Sequence, residues 1–154
     1  MKIIIIIALA LMFFPEVKSM SIFGVGKTCV FSAVKVRVTN NGSPLKNIQI
    51  IRRWEWNKLE EEKTTTDDNG VFEFPAVFES SVSRLLPMEL VIAQGLYIVQ
   101  NGEEKKIWSN SKREAEENAE FDGKPFVLNC EITNEMKIYR DYGSIMRTLC
   151  TWED

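Results

Sequence analysis

Apolar and polar residues alternate with a period of two along much of this chain, the mark of strands with one face in a core and one in water. Between Cys29 and Thr39, Val34, Val36 and Val38 alternate with Lys35, Arg37 and Thr39. Asn40-Asn41-Gly42-Ser43-Pro44 is a turn, because Asn and Gly accept positive φ and Pro44 fixes its own. Asn47 to Trp56, rich in Ile and Trp, reads as the next strand. Leu59 to Lys63 reads as a charged, solvated connection, and Thr64-Thr65-Thr66 as extended chain. Asp67-Asp68-Asn69-Gly70 is a second turn, leading into the strand Val71 to Phe74. Pro75 to Pro87 is less regular. Residues 88–100 are extended, with Gly95 as a bulge or bend. Asn101-Gly102 has the composition of a two-residue hairpin turn, from which the chain returns through Lys105, Ile107 and Trp108. A helix is expected over residues 111–120, where Ser111 and Glu114 have capping-box spacing. Strands follow at 126–133, 136–140 and 145–152. The expectation is an all-β chain: an antiparallel β-sandwich of seven or eight strands with one short helix.

The start of the chain breaks this pattern. Met1 and Lys2 precede an unbroken apolar run of twelve residues, Ile3 to Phe14, which Pro15 and Glu16 end. A membrane-spanning helix needs about 20 apolar residues, whereas a secretory leader needs fewer. Val17 and Ser19 suit cleavage after Ser19. Residues 1–19 therefore read as a signal peptide and 20–154 as one sandwich domain, exported to the periplasm with no membrane span after cleavage. No cysteine directly follows the apolar run to accept a lipid.

Composition narrows the chemistry. Histidine is absent, which removes Ser-His-Asp and Cys-His nucleophile systems and His-ligated zinc. The formal net charge of -3 argues against a nucleic-acid partner held through phosphates. The three cysteines are Cys29, Cys130 and Cys150, and they show no C-x-x-C spacing for a metal. Of the three single-bridge pairings, Cys130–Cys150 is favoured, since both sit on segments that look like neighbouring strands. Cys29, next to Val30 and Phe31, then remains a buried thiol.

Asn41-Gly42-Ser43-Pro44-Leu45, then a strand, then Thr65-Thr66-Asp67-Asp68-Asn69-Gly70-Val71-Phe72-Glu73-Phe74, resembles the transthyretin-like, or carboxypeptidase regulatory-like, domain pattern. The resemblance directly covers about residues 30–75. It implies that each turn closes a hairpin and that the two phenylalanines enter the sandwich. The segments Gly26–Ser32, Phe74–Glu79, Leu85–Glu89 and Glu116–Ala119 also resemble a family of small exported bacterial proteins, which brings no activity with it. Transthyretin-like domains generally bind, fold or assemble. No residue here matches the transthyretin hormone channel.

Several constellations could carry chemistry. Asp67-Asp68-Asn69-Gly70 begins like a calcium loop, but Val71 and Phe78 fall where ligands are required, so a plain turn is favoured. Glu60-Glu61-Glu62 reads as a solvated charge run rather than an acid–base pair. Ser80, Ser81 and Ser83 lack a nucleophile-elbow context. No catalytic residue, metal or cofactor is assigned. Trp54 and Trp56 have strand spacing on one face and could form a stacking or protein-binding platform, although a sandwich core readily claims at least one. Glu114, Glu116, Glu117 and Glu120 give the expected helix an acidic surface that could steer a basic partner.

Three classes of function fit. The first is a non-enzymatic periplasmic binding module, most concretely an immunity protein that inhibits a secreted toxin or effector by steric masking. The second is a carbohydrate- or envelope-binding accessory module using Trp54 and Trp56. The least favoured is a small hydrolase with a carboxylate or lysine base.

Overall fold

A computed structural model describes residues 26–80 and 86–154. The expected leader, residues 1–19, lies outside the described residues, as do Ser81 and Ser83.

The valine alternation forms a strand, β2 (Val34–Asn40), whose Val34, Val36 and Val38 are buried while Lys35 and Arg37 face solvent. The preceding apolar residues form a separate strand, β1 (Lys27–Phe31). The chain breaks between the two, where Ser32 turns inward. From β2 the Asn41-Gly42 turn, with φ of 50° and 80°, folds back into β3 (Ser43–Pro44). Next come β4 (Gln49–Glu55), β5 (Leu59–Thr65), β6 (Val71–Phe74) and β7 (Val77–Ser80). The long hairpin of β8 (Ile92–Gln100) and β9 (Glu103–Lys112) turns at Asn101-Gly102, again with both φ positive. The chain finishes with β10 (Phe126–Glu131), β11 (Lys137–Tyr139), β12 (Met146–Thr148) and β13 (Cys150–Thr151).

The fold is all-β and sandwich-like. One sheet has the order β11-β12-β9-β8-β4-β5; a second has β13-β10-β2-β3, with β6 also on β2; β1 and β7 form a third pair. Their inner faces meet in a core that includes Phe31, Val36, Ile50, Leu96, Ile98, Trp108, Phe126 and Leu128. Phe31, Trp108, Phe126 and Phe121 pack as one aromatic group, with Trp108 and Phe126 centroids 4.7 Å apart. Each such buried side chain stabilises the fold by roughly 1.5–3 kcal/mol relative to exposure. Arg52 enters this core. Its guanidinium lies over Phe74 at 4.5 Å and over Phe31 at 5.1 Å, and donates to the Pro75 carbonyl and to Glu62.

Five details differ from the sequence reading. The Asp67–Gly70 turn closes no hairpin: β5 before it pairs with β4 and β6 after it pairs with β2, so it crosses between the sheets. Strands β2 and β10 run parallel, from the pair Phe126–Val34 to Glu131–Thr39, within an otherwise antiparallel arrangement. Leu59–Lys63 is no loop: it begins edge strand β5, whose charges pair across to β4 through Glu61–Arg53 and Glu62–Arg52. A charged edge strand resists pairing with other chains. The irregularity expected at Gly95 falls one step later, where Leu96 and Tyr97 face Trp108 and Lys106 and leave Ile107 as the extra residue. Gly95 itself is roofed by the Tyr97 ring, which a Cβ would strike. Finally, the helix over 111–120 does not form. Ser111 and Lys112 end β9, paired with Ala93 and Ile92, and only Ala119–Phe121 makes a short 3-10 turn after Asn118 in the left-handed region.

Candidate functional site

The segment from Arg113 to Lys124 is a strap leaving β9, and it is pinned from below. Glu120, expected on an acidic surface, is fully buried. Its carboxylate accepts from the Ser32 hydroxyl at 2.6 Å, from Gln94 Nε2 at 2.8 Å and from Lys112 Nζ at 3.2 Å. Gln94 also donates to the Val30 carbonyl and accepts from Asn110, which in turn accepts from Ser144. The Ser32 hydroxyl further accepts the Asn118 backbone N–H at 2.7 Å. Four segments of the chain thus converge on one carboxylate with its hydrogen bonds met. Ser32 and Lys112 Nζ are 3.4 Å apart, the pairing a lysine-activated serine needs, but both residues are closed to solvent.

Above this anchor, at the end of the six-stranded sheet, the strap forms one wall of a groove of about 570 Å³. Its floor is apolar: Trp56, just beyond β4, with Met88, Leu90 and Val91 on the approach to β8. Met88 is 68% exposed and Val91 44%, high for side chains of this kind. The rim is acidic. Glu114 and Glu116 line it and are exposed, and Glu89, ion-paired with Arg113, lines it too.

The structure brings Trp56, Glu114 and Glu116 together, although Trp56 and Glu114 are 58 positions apart in sequence. It does not bring the other candidates there. Trp54 is 5% exposed and its indole N–H donates to Glu79 at 2.7 Å, so the two tryptophans present no joint platform. Glu117 is exposed but lines a separate shallow depression with Lys35, Glu73 and Val127. Glu120 is the anchor and not a contact. Cys130 and Cys150 form a disulfide, facing each other across β10 and β13 with Cα atoms 4.0 Å apart. Cys29 is free and buried, and burial pushes its thiol above the ordinary value. Among the described residues no group of three or more Cys, Asp or Glu could hold a metal ion, and no helix is long and apolar enough to cross a membrane.

Met88, Val91 and Arg113 were not singled out from sequence. The available signal was the apolar cluster Leu85-Leu86-Pro87-Met88, placed where a proline interrupts regular pairing. Such a cluster reads as core from sequence, but in the fold Leu86 and Met88 are exposed.

Residues 34–135, about two thirds of the chain, match the family described as a domain of unknown function, DUF6795, and the protein belongs to that family. No curated protein and no solved structure matches the chain.

Proposed function

We propose that this protein is an exported, non-enzymatic protein-binding module, most concretely an immunity protein that neutralises a secreted toxin or effector by steric masking. The observation that carries the reading is the groove: an exposed apolar floor under an acidic rim, on a strap held rigid by a buried carboxylate. Pre-ordered surfaces bind without a further ordering cost. The Cys130–Cys150 disulfide suits an oxidising compartment such as the periplasm. Of the two turns that carry the transthyretin-like resemblance, Asn41-Gly42 closes a hairpin as that pattern implies, whereas Asp67–Gly70 passes the chain from one sheet to the other; Phe72 and Phe74 are buried as it implies, and that partial likeness supports a binding role of the kind such domains play. The carbohydrate reading loses its two-tryptophan platform with Trp54 in the core. Ser32 and Lys112, a serine and a lysine that the described residues bring together, are closed to solvent and lend the hydrolase reading no support.

The test is protection. Cells lacking the protein should become sensitive to an effector delivered by their siblings, and expression of the protein should restore resistance. A null strain as resistant as its parent to every effector of its siblings would contradict the immunity role.

A further inference from the structure

Resting on that binding reading, we infer that the groove is built for one kind of partner segment: a large apolar side chain flanked by lysines or arginines. The floor sets the first half. Trp56 and Leu90 are half-buried and fixed, while Met88 and Val91 stand exposed. Methionine adapts its shape to what it meets, so the floor can close around an inserted side chain. A volume near 570 Å³ takes an apolar side chain and its backbone, not the flat face of a domain.

The rim sets the second half. Glu114 and Glu116 make no ion pair among the described residues, and the cation that lines the groove, Arg113, is already held by Glu89. At the same end of the sheet Glu55 is exposed and makes no ion pair among the described residues, and Lys58 is taken by Glu60. Among the described residues that line the groove, three carboxylates stand against the single cation Arg113, and the groove's field is negative. Such a field favours positive flanks and disfavours acidic ones. The buried contacts of Glu120 keep the rim in place, so its charges stay beside the apolar floor.

The test uses the full chain and synthetic peptides with one central tryptophan or leucine, flanked on both sides by lysines, serines or glutamates. Lysine-flanked peptides should bind saturably, about tenfold or more tighter than serine-flanked ones, and more weakly as salt rises. Trp56→Ala should weaken binding by about tenfold or more, and so should the exposed double change Glu114→Lys with Glu116→Lys, which touches no core contact. Glu73→Lys, on the other sheet, should leave binding unchanged. Several results would overturn the inference: equal binding of serine-flanked peptides, equal loss with Glu73→Lys, no saturable binding, or self-association that Trp56→Ala abolishes. Protection that survives the groove variants would leave the immunity reading standing and remove the groove from it, whereas peptide binding without any protection would do the reverse.

Discussion

Glu131 shows how one side chain can hold a turn. Its carboxylate accepts the backbone N–H groups of Asn41 and Gly42, each at 2.9 Å, and the hydroxyls of Thr39 and Thr133, each at 2.8 Å. These donors favour the charged form and lower its pKa from 4.5 to about 2. The folded carboxylate is thus the stronger acid, so its contribution is full above 4.5 and is lost as the pH falls toward 2. Glu131→Gln should lower the urea midpoint at about pH 7, and the difference from the parent should close near pH 2. A constant difference across that range would contradict the assignment. Lys112 and Glu120 form a pair of another kind, since neither charge reaches water. Lys112→Met should cost about 3–5 kcal/mol in urea unfolding, because it leaves a buried carboxylate without its cation. Adding Glu120→Leu should recover part of that loss. Neither role was legible in sequence. Glu120 stands among surface acids, and its partners Ser32 and Gln94 lie 88 and 26 residues away.

Turns were the most legible elements, because their chemistry is local. Asn41-Gly42, Asp67–Gly70 and Asn101-Gly102 all close where Asn, Asp and Gly place them. Gly70 has φ of 74°, and a Cβ there would collide with the Val38 carbonyl oxygen. Gly70→Ala should therefore destabilise by more than about 1 kcal/mol and lower the melting temperature, beyond what an exposed Gly→Ala change does. The disulfide was also legible, since β10 and β13 set Cys130 and Cys150 directly opposite each other. Replacing both with Ala opens a loop with a sequence separation of 20 and should cost about 3 kcal/mol in chemical unfolding. The expected helix was lost to pairing that spacing does not reveal. Ser111 and Lys112 complete the hairpin with β8, and Lys112 then reaches inward to Glu120. A capping-box pattern is a local preference, and a strand partner nearly twenty residues upstream outweighed it. Strand β5 misled for the opposite reason: its charges satisfy β4 and protect an edge, so its sequence looks like a loop.

The assembly of these elements was the least legible. The parallel joining of β2 to β10 decides where the strap crosses the sandwich, and no period in either strand announces it. That crossing sets Glu114 and Glu116 beside Trp56 and Met88 and turns scattered candidates into one groove. Separate residues were legible as acidic or aromatic; their convergence depended on the whole chain being folded. On the proposed function, the sandwich acts through contact at one end of its larger sheet. The most direct trial is photo-crosslinking in living cells, with a light-activated amino acid at the exposed groove positions Met88 or Val91 and, as control, at exposed Val127 on the other sheet. Adducts with one and the same partner should form from positions 88 and 91, vanish when Glu114 and Glu116 are changed to Lys, and be absent from position 127. Equal adducts from position 127, or none from 88 and 91 in cells challenged with the effector, would contradict it.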